Sequence, residues 1–152
     1  MKEIYYTYNN EAIAICVFLS VLDRIKTLDI ARSCLMLPFL LDDRTIAYFD
    51  KNRNTEFTLE QMKKEQPKLF ISFNKRYLSL LPVTINSLMI LSKSNQINIG
   101  REIYVVNDDA LPIYNSIMGE RLNKITSIVP VFLSIIDGYS TKQLYKLLNI
   151  HL

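Results

Sequence analysis

Histidine is almost missing from this chain: the only one is His151, one residue from the end. Acid–base catalysis and metal binding built on imidazole therefore have almost no material. Glycine is scarce too, and the three that are present stand apart, so neither a phosphate-cradling loop nor a dinucleotide fingerprint can be assembled. Five prolines among 152 residues, together with so little glycine, argue against a turn-rich sandwich and for long helices. The two cysteines, Cys16 and Cys34, are not a zinc motif; each lies among apolar neighbours and reads as a reduced core residue. No excess of one charge stands out: eighteen basic and fifteen acidic residues leave a net charge of +3, spread along the chain. That is a weak footprint for nucleic acid, and Lys63-Lys64 and Lys75-Arg76 read as solvated helix faces rather than phosphate contacts. No apolar run reaches the roughly 20 residues a membrane span requires, and the start, Met1-Lys2-Glu3-Ile4-Tyr5, has neither leader nor lipidation pattern. The expectation is a cytoplasmic protein.

What is present is apolar material in quantity. Hydrophobic residues make up 49% of the chain and charged residues 22%, enough for one domain over 1–152 with a sizeable core. The densest stretch is Cys-Leu-Met-Leu-Pro-Phe-Leu-Leu at 34–41, closed by Asp42-Asp43-Arg44-Thr45. It is too short for a bilayer and too apolar for a solvated surface, so it belongs in a core or against a partner. Pro38 in its middle predicts a bend or break near Leu37, with Asp42 and Asp43 in the first turns of a restarted helix.

The chain reads as mainly α with a small β-ribbon, an α+β protein. Asn9, Asn10 and Glu11 open a first helix whose stripe is Ile15, Phe18, Leu22 and Ile25. A second helical region covers 30–49, a polar loop 51–56, and Thr58 caps a run to Lys64. Leu69, Phe70, Phe73, Tyr77 and Leu80 recur at helical spacing with Lys75 and Arg76 off the stripe. Pro82 then suits the first turn of a new helix with Leu81, Ile85, Leu88 and Leu91 on its apolar face, the two helices meeting in a tight turn. Ile97, Ile99, Ile103 and Val105 make a short ribbon around Gly100-Arg101. A helix pair followed by a ribbon is the order of a winged-helix-like element. Asp108 or Asp109 with Pro112 starts a run through Leu111, Tyr114, Met118, Leu122, Ile125, Val129 and Phe132, which Gly119 and Pro130 bend or divide. Gly138 stops it, and Ser140-Thr141-Lys142-Gln143 opens a last helix carrying Leu144, Leu147 and Leu148.

The carboxylate pairs Asp42-Asp43 and Asp108-Asp109 are the only material for a divalent ion, and both are already explained as helix-start residues. No catalytic constellation and no cofactor are expected. Arg44 is either an anion contact or half of an intramolecular ion pair. Tyr5, Tyr6 and Tyr8, ahead of the first helix, are the aromatics best placed for an interface.

Four segments in sequence carry a resemblance: Tyr8-Asn9-Asn10-Glu11; Leu-Pro-Phe-Leu-Leu with its charged pair and Thr at 37–45; Thr84-Ile85-Asn86-Ser87-Leu88; and Leu-Tyr-Lys-Leu-Leu at 144–148. In their order and spacing the chain resembles the middle components of bacterial three-component ABC-type (ABC-3C) defence systems, the group that includes Lamassu-like systems. It departs from them in Asn149-Ile150-His151-Leu152, where relatives often have Gly-Val, a basic residue and Pro, and in Asn10, where many have Pro. The resemblance implies a non-catalytic adaptor encoded between an SMC-like or ABC-type ATPase and a nuclease or other effector, coupling the two in antiphage or antiplasmid defence, with DNA reached mainly through the complex. Arg44, Asn86, Tyr145 and Lys146 are the candidate partner contacts. Within the last helix, Leu144 and Leu148 either dock onto the chain's own domain or face one neighbour, and Tyr145 and Lys146 are the sharper candidates for another. The alternative is a winged-helix DNA-binding regulator, but residues 79–92 offer only Asn86 as a base-edge reader.

Overall fold

The computed structural model of the chain describes residues 9–106 and 119–151. Tyr5, Tyr6, Tyr8, Asp108-Asp109 and the start of the helical run at 111–118 lie outside the described residues. Within them the elements run α1 (Glu11–Arg24), β1 (Thr27–Asp29), α2 (Ile30–Leu40), α3 (Asp43–Lys51), α4 (Leu59–Glu65), α5 (Pro67–Ile71), α6 (Phe73–Lys93), β2 (Ile97–Ile99), β3 (Glu102–Val105), α7 (Glu120–Ile136) and α8 (Thr141–Leu147). This is the mainly helical chain with a small ribbon that the composition implied.

Local chemistry sets most helix starts. The Asn10 side chain accepts from Ala12 N–H and Ile13 N–H, so Asn10 is the cap of α1, while Asn9 is buried beside it. Thr58 and Ser140 both form complete capping boxes, with Gln61 and Gln143 reaching back to the cap backbone. Asp42 caps α3, accepting from the Thr45 N–H at 3.1 Å and its hydroxyl at 2.7 Å. Helices α1, α2, α3, α6, α7 and α8 share one apolar core, in which α6 packs against α1 and α2, and α7 against α1 and α3. In α1 six consecutive residues, 17–22, are buried, which accounts for the breadth of its apolar surface.

Prolines interrupt less than the sequence suggested. Helix α2 continues past Leu37 and through Pro38, breaking only at Leu41 and Asp42; every side chain from Leu35 to Leu40 is buried, and that packing holds the last turn together. Pro82 lies inside α6 rather than at its start. The tight turn expected at Leu81-Pro82 is absent, and the helix pair of the winged-helix reading is one 21-residue helix preceded by a five-residue one. Pro82 and Leu78 are both exposed, so the hydrogen bond that Pro82 cannot make is missing on the outer side of the helix. Pro130 also lies inside α7, but half-buried.

The ribbon of β2 and β3 is joined by a third strand that the sequence did not signal. The order is β1-β3-β2, all antiparallel, with Leu28 opposite Ile103 and Ile99 opposite the same residue from the other side. With three residues and a single buried leucine, β1 carries no alternation to read.

Two helices end in left-handed asparagines. Asn95 (φ 59°) follows α6, with Gln96 N–H donating to Leu91 O at 3.0 Å; Asn149 (φ 55°) follows α8, with Ile150 N–H donating to Tyr145 O at 3.3 Å. These are Schellman closures, which favour glycine and then asparagine. Position 149 thus carries a backbone requirement that asparagine meets. Asn149→Gly is expected to leave stability within a few tenths of a kcal/mol or raise it, and Asn149→Val to cost about 1–2 kcal/mol, because a β-branched residue resists this conformation. Paired urea titrations check both; equal stability of the two variants would contradict the closure.

Candidate functional site

The sequence candidates divide into residues that the fold uses internally and residues that it leaves on the surface. Asp42 and Asp43 belong to the first group. Besides capping α3, Asp42 lies 3.6 Å from the Arg44 guanidinium and 3.9 Å from that of Arg76. Asp43 accepts from Arg121 Nε at 3.0 Å, and Arg121 Nη2 also donates to Asn9 Oδ1 at 2.7 Å and to the Leu41 carbonyl at 3.1 Å. The carboxylate pair thus knots the starts of α1, α3 and α7 together. Among the described residues no group of three or more His, Cys, Asp or Glu side chains is placed to hold a metal ion.

Arg76 is a correction to the solvated face expected for Lys75-Arg76. It is buried in α6, its Nε donating to Pro38 O at 3.1 Å and its Nη1 to Leu69 O at 3.2 Å and Ser72 Oγ at 2.6 Å, with the guanidinium 5.1 Å from the Phe73 ring centre. Pro38 cannot donate, yet its carbonyl here becomes the anchor for the neighbouring helix. Lys75 is exposed, as expected.

Tyr145, another candidate contact, is half-exposed and engages neighbours within the chain. Its hydroxyl donates to Ala31 O at 2.5 Å and lies 3.2 Å from the Tyr77 hydroxyl, the two rings meeting edge-on at 5.9 Å. Burial, then Tyr77, pushes its phenol well above the ordinary tyrosine range. Its hydroxyl staples α8 to α2, and the side chain stays half-exposed. Leu144 and Leu148 are buried in the chain's own core, and the Thr141 hydroxyl donates to Asp29 Oδ2 at 2.7 Å while accepting from Arg32 Nε at 3.0 Å. Lys146 stays exposed on the outer side of α8.

Arg44 is exposed and, with Lys51 and Lys68, walls an open hollow of about 450 Å³ whose other wall is Tyr48 and Glu65. The Tyr48 hydroxyl donates to Glu65 at 2.6 Å, and burial followed by that carboxylate pushes the phenol up to about 12. A larger hollow of about 920 Å³ lies between the 53–58 loop and the end of α7, beside Tyr139, which donates to Glu60 and draws that carboxyl below its ordinary range. Cys16 and Cys34, expected in the core, are free thiols half-buried against it, and burial raises both.

Asn86 is exposed on α6, its Nδ2 donating to Glu11 Oε1 at 3.1 Å, so the Thr84-Ile85-Asn86-Ser87-Leu88 segment serves two faces. Thr84, Ser87 and Leu88 are buried on one of them; Ile85 and Asn86 point outward. Ile85 was expected on the buried stripe and is instead 53% exposed. It has company in Ile71, Leu78, Met89 and Ile90, all large and all exposed. Sequence reading missed this surface because its apolar residues interleave with those of the core stripe on one helix. The signal available was excess: α6 has more apolar positions than one buried face can hold.

No described helix is long and apolar enough to cross a membrane. Among known proteins, neither a curated protein nor a solved structure matches the chain. A family model does match, over residues 3–148, and its description is ABC-three component (ABC-3C) system Middle Component 3. With the match spanning nearly all of its length, this chain belongs to the Middle Component 3 family of ABC-three component systems.

Proposed function

We propose that this middle component is a non-catalytic cytoplasmic adaptor, joining an SMC-like or ABC-type ATPase to a nuclease or other effector in antiphage or antiplasmid defence. The observation that carries the reading is the division of its side chains. The polar groups that would be raw material for chemistry, Asp42, Asp43, Arg76 and Arg121, are spent on tying helices together, while large apolar side chains are left outside on α6. A component of a multi-subunit system with that balance is suited to being held between partners. Arg44, Asn86 and Lys146 are exposed and accessible for such contacts, and Tyr145 is half-exposed beside Lys146.

Co-expression with the neighbouring genes of its system is the test. An affinity-tagged chain should carry the ATPase and the effector through size-exclusion chromatography as one complex. The purified chain alone, with magnesium or manganese, should turn over neither ATP nor DNA. Metal-dependent cleavage lost on replacing Asp42 and Asp43, with no complex formed, would instead make this chain an enzyme.

A further inference from the structure

We propose that the outward face of α6 is the docking site for an amphipathic helix of another component, one whose apolar ridge is bounded by carboxylates at both ends; this rests on the adaptor reading above. Leu78, Ile85 and Met89 follow one another at spacings of seven and four, which places them on one side of the helix, and Ile71 stands just before it. Their exposures are 46%, 53%, 47% and 81%. Pro82 shares the side, and beside Met89 and Ile90 a hollow of about 440 Å³ opens toward the start of α1. A ridge of this kind with an adjoining groove is what helix-on-helix packing needs.

Charge selects the occupant. Helix α6 contains no aspartate or glutamate, and its exposed face is bracketed by Lys75 and Lys93, neither with an ion-pair partner among the described residues. The carboxylate that lines the groove, Glu11, accepts from Asn86. Along a helix Lys75 and Lys93 are about 27 Å apart, so the complement is about five turns long with an acidic group toward each end. A second copy of this chain is the wrong occupant. The two lysines lie symmetrically about Thr84, and two-fold antiparallel pairing of α6 with α6 would set Lys75 of one copy against Lys93 of the other, at both ends at once.

Two double variants test this in the co-expressed complex, Ile85→Glu with Met89→Glu and Lys75→Glu with Lys93→Glu. All four positions are exposed, so circular dichroism and the melting temperature should match the unmodified chain. The apolar pair is expected to weaken capture of one component by about tenfold or more, and the lysine pair by about tenfold in low salt with most of the salt dependence gone. Undiminished capture by both variants, with the unmodified chain assembling normally, overturns the docking site and leaves the adaptor reading standing. If the unmodified chain captures neither component, the adaptor reading fails and takes this one with it. If the chain is a dimer that Ile85→Glu with Met89→Glu makes monomeric while capture is unchanged, the occupant is a second copy and the proposal is wrong.

Discussion

Replacing Arg76 with alanine is expected to lower the free energy of unfolding by about 3 kcal/mol, and the melting temperature of a chain this size by roughly 6–12 °C. The guanidinium is nine-tenths buried and holds three acceptors that belong to three different places in the chain: Pro38 O, Leu69 O and Ser72 Oγ. Alanine leaves the Pro38 carbonyl without this donor in a region closed to water, removes one of the donors to Leu69 O, and leaves the mostly buried Asp42 with the exposed Arg44 as its remaining ion-pair partner among the described residues. Arg76→Met separates packing from bonding, since it keeps the stem and drops the donors. Arg76→Lys should recover only part of the loss, because one ammonium cannot span acceptors arranged for a planar fork. Urea titrations with unchanged slopes give the numbers. A loss under about 1 kcal/mol for Arg76→Ala would show that the α2–α6 contact is held by its apolar side chains alone.

The elements that were readable from the sequence are those whose cause is local. Asn10, Asp42, Thr58 and Ser140 cap helices through groups two or three residues away, so their chemistry is visible in a short window. The stripe of Leu69, Phe70, Phe73, Tyr77 and Leu80 is equally local and is buried as expected. Arg76 was opaque because the residues that satisfy it include a proline carbonyl 38 positions earlier. Pro82 was misleading for a different reason. A proline opening a helix and a proline on the solvent side of a long one have the same neighbours in sequence, and only the exposure of Leu78 and Pro82 decides that the missing bond is tolerable. Strand β1 owes its existence to the edge that β3 offers, not to its own three residues. Of the candidate contacts, Tyr145 was placed correctly on a capped helix, but the acceptor on α2 that engages its hydroxyl is over a hundred residues away. The α6 surface was hidden in plain view, since apolar residues for two faces of one helix blur into a single hydrophobic run.

The apolar segment around Pro38 was assigned by its composition to a core or to a partner, and one substitution separates those alternatives physically. Phe39→Ala is expected to cost about 3–5 kcal/mol, because the ring is 2% exposed and no repacking of rigid helices fills the space it leaves. Its centre lies 4.7 Å from that of Phe73 and 5.1 Å from that of Phe132, and Phe132 in turn meets Phe49 at 5.9 Å, so one side chain joins α2, α6, α7 and α3 through aromatic contacts. Phe39→Leu retains much of the volume and should cost no more than about 1.5 kcal/mol. Denaturant titration measures both. The interface alternative predicts the opposite pattern: a purified chain of normal stability and a complex that no longer forms. At a temperature where Phe39→Ala is still folded it should therefore capture its partners with unaltered affinity, while Ile85→Glu with Met89→Glu should keep its stability and bind one component about tenfold or more less tightly. Core and docking face are opposite sides of the same helix packing, and the two variants should fail in opposite assays.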